Sequence, residues 1–111
     1  MADKEKAKKN WRASGEFRRV RAEIYDSLGG QKNVDALTAS RVEEYLDFWV
    51  LRHQLQDDIT DRGLYVQDDR GRTTENRSVS LSIQTSRQMA AIAATLGVVV
   101  GADRADEEDE L

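Results

Sequence analysis

The chain has 111 residues, a formal net charge of −4 and no cysteine, which excludes a disulfide scaffold and a thiolate metal site. It contains no apolar run near the roughly 18 residues that a membrane span requires, and its amino terminus lacks the apolar core of a signal peptide. We therefore expect a soluble intracellular protein with one small domain, whose limited core favours association with other copies.

The charge is concentrated at the two ends of the chain. Residues 3–21 contain eight basic and three acidic residues, whereas residues 103–110 contain six acidic residues and one arginine. A basic arm can neutralise phosphates, and an acidic tail can cover a basic surface on a partner. The alternative is a pair of solvated ends without a specific role. We assign residues 1–14 to a basic flexible arm, residues 15–104 to a helical oligomerisation domain and residues 105–111 to an acidic tail.

Glycines and capping residues delimit the predicted helices, because the chain has no proline. Apolar residues at helical spacing predict a first helix over residues 15–28, with Ser14 as its N-cap and a glycine pair after its end. A second helix is predicted from about residue 39 to residue 62. Its N-cap is expected to be Thr38 or Ser40, and a glycine follows its last turn.

The second predicted helix has apolar residues on two faces. One stripe consists of Val42, Tyr45, Leu46, Trp49, Val50 and His53. A second stripe, about 150° away around the helix axis, consists of Phe48, Leu51, Leu55 and Ile59. A helix in a two-layer monomer needs only one buried stripe. The second stripe therefore predicts another partner, either the first helix or a neighbouring subunit.

A short β-hairpin is predicted between the second and third helices. Residues 64–66 have strand character, and residues 68–71 have turn chemistry, with Gly71 able to take a positive φ angle. Residues 72–74 could return as the second strand. Isolated hairpins are marginal in water, so we expect this one to dock on the helices or to pair with other subunits.

The third predicted helix covers about residues 78–96 and again has two stripes. The bulkier stripe consists of Leu81, Met89, Ile92 and Leu96, and the smaller one consists of Val79, Ile83, Ala90, Ala93 and Ala94. Small side chains allow a neighbouring helix to approach closely. The elements together predict a mainly α fold, a hairpin or bundle of three helices with the β-hairpin between the second and third.

No set of residues has the spacing of a catalytic or metal site. His53 is the only histidine, and beside Trp49 it is more often a packed or interfacial residue than a base or a ligand. Asp57, Asp58 and Asp61 lack EF-hand spacing, and near a helix C-terminus they oppose the macrodipole. The nearby basic residues that could relieve this are Arg62, Arg70, Arg72 and Arg77. Since a phosphate-binding loop is also missing, we expect no enzymatic activity, no metal and no cofactor.

Three segments in series carry a family resemblance. A helix ending in Leu28-Gly29-Gly30 is followed by "ALTASRVEEYLDFWVLRHQLQDDITDRGLYV" and then by "DDRGRTTENRSVSLSIQTSRQMAAIAATLGVVVGADR". This order resembles the small subunits of tailed-phage terminases, in which a glycine such as Gly71 marks a hairpin and an asparagine such as Asn76 opens a second long helix. The family usually has proline after this asparagine, where this chain has Arg77. The resemblance spans roughly residues 17–104.

The resemblance implies a non-enzymatic packaging factor in the host cytoplasm. It would bind double-stranded viral DNA, assemble into a homo-oligomeric ring and regulate the motor and nuclease of the large terminase subunit. Phosphate contacts would come from Lys4, Lys6, Lys8, Lys9, Arg12, Arg18, Arg19 and Arg21. The interface between subunits would use Phe48, Leu51, Leu55, Ile59, Val79, Ile83, Ala90 and Ala93. The hairpin would then lie between subunits or near the pore.

Two other classes of function compete with this interpretation. A helical adaptor that binds only proteins predicts a monomer or dimer without DNA affinity at moderate salt. A small metal-dependent nuclease would use Asp57, Asp58 and Asp61. This nuclease is less favoured, because no histidine or lysine accompanies the three carboxylates at helical spacing.

Overall fold

The computed structural model describes residues 9–97. Its three helices are α1 (Gly15–Ser27), α2 (Ala36–Arg62) and α3 (Arg77–Leu96), and two short strands, β1 (Tyr65–Gln67) and β2 (Thr73–Glu75), lie between α2 and α3. Short 3-10 turns at Trp11–Ala13 and Gln31–Asn33 precede α1 and α2. The mainly helical fold with a hairpin at this position confirms the prediction, and the ring stays a prediction.

Helix α1 begins and ends close to the predicted residues. The Ser14 hydroxyl accepts a hydrogen bond from the backbone N–H of Phe17 at 3.1 Å, which makes Ser14 the expected N-cap. At the other end, the Gly30 N–H donates to the Tyr25 carbonyl at 2.8 Å, and Gly29 has a φ angle of 94°. This Schellman-type ending reverses the chain toward α2.

Helix α2 begins three residues earlier than predicted. Its N-cap is Asp35, whose carboxylate accepts a hydrogen bond from the Thr38 N–H at 2.7 Å. The predicted caps Thr38 and Ser40 therefore lie inside the helix. Aspartate is a favourable N-cap because its carboxylate accepts the backbone hydrogen bond and its charge also interacts favourably with the positive end of the helix dipole. The helix ends at Arg62, as predicted.

The core of the protein is built around the first stripe of α2. Its buried members are Val42, Tyr45, Leu46, Trp49 and Val50, and they pack with Phe17, Ile24 and Tyr25 of α1 and Met89, Ile92 and Ala93 of α3. This burial confirms the predicted first stripe. The second stripe remains half-buried or exposed, and Leu51 retains 40% of its accessible surface.

Helix α3 packs antiparallel to α2 and buries hydroxyl groups at the interface. Its buried face contains Ser78, Ser82, Thr85, Met89, Ile92 and Ala93. A hydrogen bond from Ser78 to Asp58 places the start of α3 against the end of α2, and a hydrogen bond from Arg52 to Ser86 joins the two helices near their middles. The predicted division of α3 into two stripes holds with one exception. In the bulkier stripe Met89 and Ile92 are buried and Leu81 and Leu96 are half-buried, whereas in the smaller stripe Ile83, Ala90 and Ala94 are exposed and Val79 is half-buried. The exception is Ala93, which shares the buried face with Met89 and Ile92.

The β-hairpin pairs antiparallel, with Tyr65 opposite Glu75, Val66 opposite Thr74 and Gln67 opposite Thr73. In its turn, the Gly71 N–H donates to the Asp68 carbonyl at 2.9 Å, and Gly71 has a φ angle of 80°. The predicted hairpin is confirmed, although its second strand begins at residue 73. Tyr65 remains 66% exposed, so the expected pairing with other subunits stays a prediction for this strand.

A polar junction ties the hairpin to both long helices. The Asn76 side chain is completely buried and donates hydrogen bonds to the Gly63 carbonyl at 2.9 Å and to Asp58 at 3.1 Å. Its amide oxygen accepts from the Ser78 N–H, so Asn76 caps α3. Arg62 pairs with Asp58 at 2.7 Å. The Arg62 guanidinium, with help from Ser78 and Asn76, lowers the pKa of Asp58 far below its usual range.

Candidate nucleic-acid interface

The predicted phosphate-binding residues lie on or before α1. Lys4, Lys6 and Lys8 fall outside the residues that the structure describes. The five described members are Lys9, Arg12, Arg18, Arg19 and Arg21. Lys9 and Arg12 lie at the amino-terminal 3-10 turn, and the three remaining arginines lie on α1.

Two of these arginines are paired with carboxylates of α2. Arg12 forms a salt bridge with Asp47 at 2.7 Å, and Arg21 forms one with Glu43 at 3.3 Å. Glu43 also accepts a hydrogen bond from the Tyr25 hydroxyl at 2.9 Å, and burial together with this contact raises the pKa of Tyr25. The acidic residues of α2 therefore neutralise part of the positive charge that the sequence places at the amino terminus.

Lys9 is partly neutralised within its own segment. Its ammonium group lies 3.6 Å from the Glu16 carboxylate and 4.0 Å from the centroid of the Trp11 ring. Both contacts are exposed, and exposed ion pairs contribute only about 0–1 kcal/mol. Lys9 can therefore exchange its carboxylate for a phosphate at small cost.

Arg18 and Arg19 differ from the other three, because neither forms an ion pair within residues 9–97. Both side chains are exposed on α1. Arg18 donates a hydrogen bond to the Ala13 carbonyl at 3.0 Å, which holds it beside the amino-terminal turn. These two guanidinium groups are the predicted contacts that the fold leaves most available to phosphates.

Trp11 fixes the amino-terminal segment on α2. Its indole N–H donates to Asp57 at 2.7 Å, and its ring lies 4.4 Å from the His53 ring and 5.9 Å, edge-on, from Trp49. His53 lies 4.0 Å from Trp49 as well, which confirms that this histidine is a packed residue. Residues 11–14 of the predicted flexible arm are consequently folded against α2, and residues 1–8 lie outside the described part.

The acidic residues near the end of α2 have hydrogen-bonding partners rather than a metal-site arrangement. Asp57 accepts from Trp11, and Asp58 belongs to the polar junction with the predicted partner Arg62. Arg72 pairs instead with Asp68 of the hairpin turn at 3.1 Å. Within residues 9–97, no three histidine, cysteine or acidic side chains are grouped so that they could hold a metal ion.

A groove between α2 and α3 contains part of the predicted subunit interface. It has a volume of about 440 Å³, and its lining residues are Phe48, Leu51, Leu55, Leu81, Gln84, Thr85, Arg87 and Gln88. Three predicted interface residues, Phe48, Leu51 and Leu55, therefore share one open surface.

The five other predicted interface residues lie elsewhere. Ile59 and Val79 are half-buried, whereas Ile83 and Ala90 are exposed on α3. The assignment of Ala93 needs correction, because this side chain is buried in the protomer's own core beside Met89 and Ile92. Ala93 therefore offers very little surface to a neighbouring copy.

A known protein family matches the chain over nearly all of this architecture. The family model described as "Phage terminase, small subunit" matches residues 7–100, a span that includes all three helices and the hairpin. The chain belongs to this family. No curated protein and no solved structure matches the chain.

The structure of this terminase small subunit also shows contacts that sequence reasoning missed. The sequence does not identify Asp47 and Glu43 as partners of the basic segment, because an ion pair between two different helices produces no pattern among residues that are close in sequence. Trp11 does indicate a packing contact from the sequence alone, since it is one of only two tryptophans and lies in a polar segment. A large aromatic residue in such a segment usually has a packing partner.

Within residues 9–97, no helix has both the length and the apolar character to cross a bilayer.

Proposed function

We propose that this small subunit binds double-stranded viral DNA, assembles into a homo-oligomeric ring and regulates the large terminase subunit in the host cytoplasm, without enzymatic activity of its own. One observation carries the proposal: the family match covers residues 7–100 and therefore all of the residues that the structure describes, rather than a single motif. The basic and apolar surfaces support two parts of it, the DNA contact and the assembly of copies.

Support for DNA contact comes from Arg18 and Arg19. Their guanidinium groups are exposed and form no ion pair within residues 9–97. Trp11 holds the amino-terminal turn against α2, and Arg18 donates a hydrogen bond to the Ala13 carbonyl of that turn. Contacts of this kind bind DNA phosphates and are independent of base sequence. In a ring, the repeated basic surfaces would raise the avidity through effective concentration.

Support for a ring comes from the second stripe of α2. Phe48, Leu51 and Leu55 line an open groove beside α3, although the first stripe of α2 is already covered by α1 and α3. A small chain with a limited core benefits from covering such a surface with another copy.

The acidic tail at residues 105–111 lies outside the described residues, and we assign it to contact with the large subunit or to restraint of the basic arm.

Two assays test the proposal. The first measures the affinity for duplex DNA by fluorescence anisotropy over a range of salt concentrations, and we expect a clear decrease with increasing salt. The second measures the ATPase rate of the large subunit with and without this chain, using a variant that lacks residues 105–111 as a comparison. Absence of DNA affinity at low salt, together with an unchanged ATPase rate, would contradict the proposal.

The alternative function is a helical adaptor that binds only protein partners. The observation that favours it is the pairing of Arg12 with Asp47 and of Arg21 with Glu43, which reduces the positive charge of the candidate DNA surface. This alternative predicts a monomer or dimer that does not bind DNA at moderate salt. The same anisotropy measurement, combined with a mass measurement in solution, distinguishes the two functions.

A further inference from the structure

The groove between α2 and α3 is an apolar surface without a partner in the protomer. Phe48, Leu51 and Leu55 of α2 face Leu81 of α3 across it. Its volume of about 440 Å³ lies within the range of sites that hold a large side chain or a small ligand. The α3 side of the groove carries one charged residue, Arg87.

The hairpin presents a complementary surface. Tyr65 is 66% exposed and lies directly opposite Glu75 in the antiparallel pair. Residues in directly opposite positions point to the same face of a hairpin, so an aromatic ring and a carboxylate stand side by side. Tyrosine is enriched in protein interfaces, since its ring is apolar and its hydroxyl stays hydrogen-bonded.

The charges of the two surfaces also match. Arg87 lines the groove, Glu75 stands beside Tyr65, and neither residue forms an ion pair within residues 9–97. A tyrosine ring placed between the leucines would bring its neighbouring carboxylate to the rim on which the guanidinium lies. Charge complementarity of this kind fixes the orientation of two partners.

The hairpin of a protomer does not fill the groove of the same protomer. Helix α2 continues for seven residues from Leu55 to Arg62, about 10 Å along the axis, before the hairpin begins. The polar junction then holds the hairpin base through the hydrogen bond between the Asn76 N–H and the Leu64 carbonyl at 2.7 Å. Consistent with this, Tyr65 is exposed rather than packed.

We propose that the groove binds the hairpin of a second copy of this chain, with Tyr65 of that copy among Phe48, Leu55 and Leu81, and Glu75 beside Arg87. The two surfaces are different, so the contact is heterologous and can repeat around a closed ring. This inference deepens the proposed function and rests on its ring. It specifies which surfaces meet.

Paired cysteine variants test the contact directly, because the natural chain contains no cysteine. One chain keeps Tyr65 and carries Gln67→Cys, an exposed position two residues further along the same face of β1, and a second chain of different tagged mass carries Gln84→Cys in the groove. After co-expression and treatment with a short bismaleimide, we expect a covalent dimer of one chain of each kind. The control replaces Gln84→Cys with Ala90→Cys, an exposed position on α3 that does not line the groove, and should give at least fivefold less product.

The possible outcomes separate this inference from the proposed function. Cross-linking of Gln67→Cys mainly to itself in an assembled protein would overturn the groove assignment and leave the ring intact, because the hairpins would then meet one another. Equal cross-linking at positions 84 and 90 would overturn it as well. A wild-type protein that remains a single copy would overturn both the groove contact and the ring.

Charge reversal provides a second test that does not depend on cysteines. Glu75→Arg should weaken the assembly at least tenfold in protein concentration, because it places two like charges at the contact. Arg87→Glu should do the same, and the double variant should recover most of the assembly. An assembly that is insensitive to both single changes, in variants with unchanged circular dichroism, would contradict the proposed pairing.

Discussion

The Asn76 amide donates a 3.1 Å hydrogen bond to the Asp58 carboxylate, although the two residues are 18 positions apart in the chain. Asn76 is completely buried, and its other contacts reach the Gly63 carbonyl and the Ser78 N–H. The end of α2, the base of the hairpin and the start of α3 therefore meet at one side chain. The orientation of the hairpin relative to the two helices depends on this junction.

We predict that Asn76→Ala lowers the free energy of unfolding by about 2–4 kcal/mol. The change removes the N-cap of α3, which contributes about 1 kcal/mol, and it removes the hydrogen bonds that the buried amide donates to the half-buried Gly63 carbonyl and Asp58 carboxylate, which together contribute about 1–3 kcal/mol. Urea denaturation followed by circular dichroism at one fixed protein concentration measures the effect. The exposed Asp61→Asn serves as a control and should change stability by less than about 0.5 kcal/mol. Similar losses in both variants would contradict the role of the junction.

Acid should weaken the same junction. Arg62 and Ser78 hold the pKa of Asp58 far below its usual range in the folded protein. Because the unfolded pKa is about 3.9, the stabilising contribution is complete above that value and is lost as the pH falls toward the folded pKa. We expect the urea midpoint of the wild type to decrease between about pH 5 and pH 2, and Asp58→Asn to show a shallower decrease. Identical pH profiles would show that another carboxylate is responsible.

The two arginines without ion pairs should dominate the described part of the DNA surface. Replacement of Arg18 and Arg19 by alanine should reduce the slope of log K against log salt by about 2, since each phosphate contact contributes about 0.9 for duplex DNA. A matched control replaces Arg70 and Arg77, two exposed arginines outside α1 that form no ion pair within residues 9–97. Both variants are measured by anisotropy on one duplex. An equal loss of slope would mean that DNA contact is not confined to α1.

Trp11→Ala should release the amino-terminal turn from α2. The change removes the hydrogen bond to Asp57 and the ring contacts with His53 and Trp49, at a cost of about 1–3 kcal/mol. Leu37→Ala is a suitable control, because Leu37 is exposed on α2. The intrinsic fluorescence of Trp49, the other tryptophan of the chain, reports whether its surroundings change. Unchanged stability and fluorescence would contradict the anchoring role.

Local patterns in the sequence were sufficient for several features of the fold. The first stripe of α2 was recognisable because its apolar residues recur at helical spacing, and all but His53 of that stripe became core. The hairpin turn was recognisable because Gly71 can adopt the positive φ angle that it has here. Such features depend on residues close together in the chain.

The remaining features depend on contacts or on chemistry that hydrophobic spacing does not register. Ser78, Ser82 and Thr85 occupy the buried face of α3, although a hydropathy pattern treats hydroxyls as polar. Thr85 can be buried because its hydroxyl donates to the Leu81 carbonyl of the preceding turn at 2.8 Å. Likewise, the pairing of Arg12 with Asp47 joins residues 35 positions apart, so counting charges along the sequence overestimated the free positive charge.

One stripe of α2 forms the core of its own protomer, and in the proposed ring the second stripe is covered by neighbouring copies. Sedimentation equilibrium of the purified chain at micromolar concentration distinguishes a ring from a single copy. We expect a single assembled species with a mass several times the 12.6 kDa of one chain. A folded, stable species with the mass of one chain would contradict it.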